Sequence, residues 1–183
     1  EKGVKFNTFK DQVIYEKSEV VKDDGKPYVV YTPYSRKWIA KYKAEGVENY
    51  PSENHLDNLY NEKPLPQISL EEMGFKKSKL IPQEFKFDSD LIDKYEETRN
   101  FPAIDATAKL SPYINSGVVS SKWCLVRARE YNNDLLDDGN KGIVHWVSEI
   151  LWREFYRHII YNFPKVSKNL PFINYTKNIP WKK

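Results

Sequence analysis

Aromatic and charged side chains recur at helical spacing near the C-terminal end of the sequence. Trp146, Glu149, Trp152, Arg153 and Tyr156 lie three, four and seven residues apart, so they share one side of a helix that turns about 100° per residue. One interpretation is an i,i+4 ion pair between Glu149 and Arg153, flanked by packing tryptophans. The other is a cavity wall at which aromatic rings and charges face a flat, polar ligand.

A run of five residues forms a second candidate site: Thr107, Ala108, Lys109, Leu110 and Ser111. Ser111 precedes Pro112, which indicates an N-cap residue followed by the first position of a helix. Hydroxyls and free backbone amides at the start of a helix can hold a phosphate. The alternative is that Thr107 and Ser111 only cap the helix.

Helices are predicted to position both candidate sites. The longest spans residues 142–163 and stops at Pro164, and its core-facing arc is apolar, with Val147, Leu151, Phe155 and Ile159. Little of this helix is suited to water, so its Glu and Arg side chains need partners. Residues 88–99 and 120–130 are predicted as two further helices, capped by Asp88 or Ser89 and by Ser120 or Ser121.

The first half of the chain lacks this helical periodicity. Residues 1–38 are predicted to be strand-like or irregular, because two short apolar runs, 13–15 and 28–31, flank a turn signal at residues 23–25. Prolines and glycines then punctuate residues 39–87, which predicts a long connection over a surface. One short helix is expected within it, where Ser69 and Glu72 form a capping box.

Composition and charge limit the classes of protein to which this sequence can belong. A net charge of +3 is uninformative alone, but residues 142–183 carry seven basic and two acidic side chains, a modest indication of a polyanionic partner. The single cysteine, Cys124, excludes an internal disulfide and suits a cytoplasmic protein. No apolar run approaches the roughly 20 residues of a membrane span, so no membrane association is expected.

Three motifs in the same order resemble the photolyase/cryptochrome family. The first is Tyr28-x-x-Tyr31-Thr-Pro-Tyr34, followed by Trp38. The second begins at Arg99 and reads RNFPAIDATAKLSPYINSG, and the third begins at Trp146 and reads WVSEILWREFY, continuing to Pro171-Phe172. The resemblance covers essentially the whole chain, whereas the chain is expected to cover well under half of a family member.

The resemblance implies a mainly α fold, namely the first half of the helical FAD-binding domain of photolyases, preceded by the tail of an α/β antenna domain and a long linker. The corresponding ranges are 1–38 for the antenna remnant, 39–87 for the linker and 88–183 for the truncated FAD- and DNA-binding domain. The remaining parts of the antenna and flavin domains are expected to lie outside this sequence.

Residue roles follow from the same resemblance. It implies that FAD contacts Tyr95, Thr107, Ala108, Lys109, Leu110, Ser111, Trp146 and Arg153, that Glu149 and Trp152 are catalytic, and that DNA contacts Arg99, Glu149, Trp152, Arg153 and Tyr156. Ala108 departs from the family pattern, in which Ser is usual after the Thr. This change removes one hydroxyl contact and leaves backbone contacts to a phosphate intact.

The function implied for the intact protein is the light-driven repair of cyclobutane pyrimidine dimers by reduced FAD. Its expected partner is damaged DNA, a second antenna chromophore of unspecified identity is allowed, and neither a metal nor an obligate protein partner is expected. The present length alone is expected to hold FAD weakly or not at all. The alternatives are a cryptochrome-type photoreceptor, a photolyase for the six-four photoproduct, and an inactive helical scaffold.

Overall fold

Helices dominate the computed structural model, which describes residues 3–47, 50–60, 66–81 and 83–180. Within these ranges there are α-helices and three short 3-10 helices, but no β-strand. The α-helices are α1 Tyr31–Glu45, α2 Ser89–Asp93, α3 Tyr95–Thr98, α4 Ser111–Ser116, α5 Ser121–Tyr131 and α6 Lys141–Asn162. The 3-10 helices are Ser52–Asn58, Pro164–Lys168 and Asn174–Asn178.

Helix α6 is the element around which the others pack. It has 22 residues, and α1, α2, α3 and α5 all contact it. The Asn140 side chain caps its first turn by accepting a hydrogen bond from the backbone N–H of Ile143 at 3.1 Å. Val147, Leu151 and Phe155 are at most 5% exposed, so the predicted long helix and its core-facing arc are confirmed.

Two predicted caps are also present, with small shifts in the helix bounds. Asp88 caps α2 and Ser120 caps α5, each through a side-chain oxygen that accepts a backbone N–H three residues ahead. The helix predicted over residues 88–99 is divided at Lys94, whose φ of −93° and ψ of 4° interrupt it. Helix α4 has Leu110 rather than Ser111 at its N-cap, so that predicted cap was wrong by one residue.

The prediction that residues 1–38 are strand-like or irregular holds in its second form for residues 3–30, which contain neither strand nor helix. It was wrong from Tyr31 onward, where α1 begins. Tyr34, Trp38 and Tyr42 recur every four residues and are all buried. Tyr34 and Trp38 contact α6, and Tyr42 contacts Arg129 of α5. Tertiary packing of this helical face therefore outweighs the β-strand preference of Val29 and Val30 just before it. The predicted boundary between residues 38 and 39 therefore lies inside α1.

The short helix expected at residues 69–74 in the predicted linker is a turn, although the range 39–87 also holds the end of α1 and the 3-10 helix Ser52–Asn58. Ser69 and Glu72 do exchange the two hydrogen bonds of a capping box, at 2.7 and 3.1 Å, but they close a single turn that ends at Gly74, with φ of 88°. Each of the three predicted domain ranges includes some residues outside the described ones, and the division itself stays a prediction.

The described residues contain neither a membrane-spanning helix nor a group of side chains arranged to bind a metal ion. No helix there is long and apolar enough to cross a membrane. In the same residues, no group of three or more His, Cys, Asp or Glu side chains is arranged to hold a metal ion.

Gly142 allows α2 to lie directly on the first turn of α6. A Cβ atom at this position would overlap the backbone carbonyl groups of Asp93 and Ile92 at the end of α2. We expect Gly142→Ala to lower the free energy of unfolding by about 1–3 kcal/mol, because α2 must move away. The exposed neighbour Lys141→Ala is the matched control and should change it by less than about 0.5 kcal/mol. Urea denaturation measures both, and equal values would contradict this account of the contact.

Candidate functional site

Glu154 is the most buried charged side chain in the described part of the chain, with 2% exposure. Its Oε2 atom accepts the backbone N–H of Ile14 at 2.7 Å. Its Oε1 atom accepts the backbone N–H of Tyr15 at 2.9 Å and the indole N–H of Trp38 at 2.6 Å. One carboxylate therefore joins the N-terminal segment and α1 to α6.

Sequence reasoning missed Glu154, although a signal was available. Glu154 lies three residues after Leu151 and one residue before Phe155, and so falls within the predicted core arc. A carboxylate at such a position requires several donors. Burial raises the pKa of the Glu154 carboxyl above its ordinary value, and the three N–H donors oppose that rise.

The opposite side of α6 carries an ion pair between Glu149 and Arg99. The Arg99 Nη2 atom lies 2.9 Å from Glu149 Oε1, and both side chains are about one-third exposed, at 34% and 38%. Arg99 also lies over the Tyr95 ring, 5.5 Å from its centroid. The predicted pairing of Glu149 with Arg153 was therefore wrong, because the end of α3 places a second arginine beside Glu149.

Trp152 lies one helical turn after Glu149 and contacts two tyrosine rings. The Tyr31 ring stacks on the indole with centroids 3.7 Å apart and planes 9° apart. Tyr156 covers it less closely, at 5.5 Å and 28°. Burial, together with the negative charge of Glu149, raises the pKa of Tyr31 to about 12, so its hydroxyl stays protonated at neutral pH.

Trp146 and Arg153 point away from Glu149 and Trp152. Trp146 is 6% exposed and packs edge-on against Phe87, with centroids 5.1 Å apart. The Arg153 Nη1 atom donates to the carbonyl of Gln12 and to Ser121 Oγ. The structure thus brings Glu149, Trp152 and Tyr156 together with Arg99 and Tyr95, but it divides the five predicted residues of α6 into two groups.

The second predicted site, residues 107–111, alternates exposed and buried side chains. Ala108 and Leu110 are both 5% exposed and pack in the core, whereas Thr107 and Ser111 present their hydroxyls to solvent. Lys109 has a left-handed φ of 54° and an ion pair with Asp105 at 2.6 Å. The segment offers two accessible hydroxyls suited to a phosphate, but the Lys109 amine already has a partner.

Arg153 carries a second feature suited to an anionic group. Its Nη2 atom is buried and has no hydrogen-bond partner in the part of the chain that the structure describes. A buried guanidinium nitrogen in this state favours an acceptor such as a phosphate or a carbonyl oxygen. Arg153 therefore retains one donor that could pair with an acceptor oxygen.

Comparison with known proteins gives consistent matches. Residues 1–54 match the family model described as DNA photolyase. The chain is 30% identical to a deoxyribodipyrimidine photo-lyase of Salmonella typhimurium, covering 94% of the chain and 38% of that relative. It is 32% identical to one of Neurospora crassa, covering 86% and 29%. The chain thus spans well under half the length of these curated relatives.

A solved structure is similar in fold. It is a bacterial class III photolyase from Agrobacterium tumefaciens, with a TM-score of 0.68 and 24% sequence identity, and the match covers 94% of this chain and 38% of that one. The mainly helical arrangement therefore corresponds to part of a photolyase structure.

Glu154→Gln tests the central carboxylate. The amide can still accept bonds through its oxygen, but its NH2 group would face the N–H of Ile14, which leaves a buried donor unpaired. We expect the free energy of unfolding to fall by about 1–3 kcal/mol in urea denaturation. Glu130→Gln is the control, since Glu130 pairs with Arg127 on the surface and its loss should cost less than about 1 kcal/mol. Equal effects of the two substitutions would disprove the anchoring role.

Proposed function

We propose, on the premise that this chain belongs to the DNA photolyase family, that it is part of a flavin-dependent enzyme that uses light to split cyclobutane pyrimidine dimers in DNA. The observation that carries this proposal is the juxtaposition of Glu149, Trp152 and Arg99 on one accessible side of α6. Because the chain spans 38% of its Salmonella relative, the activity is proposed for a full-length protein that contains it.

Glu149 and Trp152 have the chemistry to hold a damaged base that has been extruded from the DNA double helix. An ionised carboxylate accepts hydrogen bonds from the N–H groups on a pyrimidine edge. An indole provides a flat apolar surface against which a base can pack. Extruding a base from the stack costs least where its pairing is already damaged, which favours a dimer over intact DNA.

FAD is the cofactor proposed for the full-length protein. Thr107 and Ser111 would hold its phosphates through their exposed hydroxyls, and Tyr95 and Arg153 would contribute further contacts. Trp146 would support the cavity wall from behind, since it is buried against Phe87. Reduced FAD supplies the electron that opens the dimer, and the protein supplies position and electrostatics.

Arg99 is proposed to contact the DNA backbone. Its guanidinium is about one-third exposed and can present two parallel N–H donors to a phosphate. One of these donors, Nη2, lies 2.9 Å from Glu149 Oε1. A phosphate that takes over Arg99 would leave the Glu149 carboxylate available to the damaged bases, so both residues of the ion pair would exchange one partner for another.

Glu149→Ala tests the catalytic assignment in the full-length protein. We expect flavin absorbance to be retained and the yield of repaired dimers per absorbed photon to fall, because preorganised groups matter most where charge develops. Affinity for dimer-containing DNA should also fall, by roughly 1–3 kcal/mol. Repair is measured by dimer loss under calibrated illumination and affinity by titration.

Glu96→Ala is the matched control for that experiment. Glu96 is a carboxylate on neighbouring α3 that faces His145, with 3.6 Å between Oε1 and Nδ1, and it lies away from Trp152. Its loss should leave the repair yield unchanged. An undiminished yield in Glu149→Ala would refute the role assigned to Glu149.

Arg99→Ala tests the backbone contact. Binding to damaged and undamaged DNA should weaken to a similar degree, and the salt dependence of binding should decrease by about one phosphate contact. Titrations at several salt concentrations measure both quantities. A loss confined to damaged DNA would instead place Arg99 among the groups that recognise the lesion.

A further inference from the structure

The two tyrosines that flank Trp152 differ in how they are held. Tyr31 lies parallel to the indole at 3.7 Å and is partly buried, whereas Tyr156 lies 5.5 Å away at an angle of 28°. Tyr156 is 58% exposed, so it is held much less firmly than Tyr31. The Tyr31 ring therefore covers one face of the indole closely.

Contacts at both ends fix the Tyr31 ring. Its hydroxyl donates a hydrogen bond to the backbone carbonyl of Ser148, at 3.2 Å. Its ring lies edge-on to Phe155, with centroids 5.8 Å apart and planes 74° apart. Tyr31 is also the first residue of α1, whose Tyr34 and Trp38 are at most 1% exposed, so the ring cannot move without disturbing a buried helix face.

The Tyr31 stack limits where Trp152 can receive a planar ligand. Two parallel rings at 3.7 Å are already in van der Waals contact, so a third ring cannot enter between them. A base can therefore pack on the indole only at the face opposite Tyr31.

We propose that Tyr31 is a positioning residue for Trp152, which it holds in one orientation and restricts to one face for the damaged bases. This inference rests on the proposed function, because it concerns how the same site receives a pyrimidine dimer. Tyr31 belongs to the segment before the predicted flavin domain, so that segment contributes directly to the lesion site.

Tyr31→Leu in the full-length, flavin-loaded protein removes the stacked ring and keeps apolar bulk. We expect affinity for a dimer-containing oligonucleotide to fall about two- to tenfold, which is the contribution typical of an aromatic pair. Affinity for the undamaged oligonucleotide and flavin absorbance should not change. Tyr31→Phe keeps the stack and should restore the ratio of the two affinities, measured by fluorescence anisotropy.

Tyr28→Leu is the matched control. Tyr28 lies three residues earlier, is partly buried and packs edge-on against Tyr34 at 6.3 Å, with no ring contact to Trp152 among the described residues. It should leave the affinity ratio unchanged. If Tyr28→Leu lowers the ratio as much as Tyr31→Leu does, or if Tyr31→Leu retains the wild-type ratio, the positioning role is overturned.

Acrylamide quenching of Trp152 emission separates this inference from the proposed function. Subtracting the emission of each protein's Trp152→Phe derivative from the emission of that protein isolates the Trp152 signal. Acrylamide should quench this signal more strongly in Tyr31→Leu than in the wild-type protein. A wild-type protein that does not distinguish dimers from undamaged DNA overturns the proposed function and the positioning role together. A wild-type protein that does distinguish them, with no change in quenching for Tyr31→Leu, overturns the positioning role alone.

Discussion

The carboxylate of Glu154 is the contact on which the arrangement of the described chain depends. It accepts three N–H bonds from Ile14, Tyr15 and Trp38 at distances of 2.6–2.9 Å, in a core with almost no access to water. Leaving any one of these donors buried and unpaired would lower the free energy of unfolding by roughly 1–3 kcal/mol. Glu154 thus ties both the N-terminal segment and α1 to α6 and adds to the aromatic contacts of Tyr31 and Tyr34 with the same helix.

The candidate site takes its geometry from this anchor and from close helix packing. Trp38 is held by Glu154, and the same helix begins with Tyr31, which stacks on Trp152. On the other flank, the absence of a side chain at Gly142 lets α2 lie against α6, and α3 follows immediately with Arg99 at its end. Helix α6 thus has an anchoring side with Glu154 and a partly exposed side with Glu149, and each depends on residues distant in sequence.

Local patterns in the sequence predicted what is decided locally. Helix α6, its apolar arc and the caps at Asp88 and Ser120 follow from periodicity and from side chains within three residues of a helix start. The partner of Glu149 did not follow, because Arg153 is the nearest cation in sequence while Arg99 is the nearest in space. Glu154 shows the same limit, since its donors at Ile14 and Tyr15 are 140 and 139 residues away.

The most direct test of the central claim is a crystal structure of the full-length protein bound to an oligonucleotide that contains a cyclobutane pyrimidine dimer. The account predicts the damaged bases on the Trp152 face opposite Tyr31, with the Tyr31 stack intact and the Glu149 carboxylate within hydrogen-bonding distance of a pyrimidine edge. A dimer bound away from Trp152, or one inserted between Trp152 and Tyr31, would contradict it.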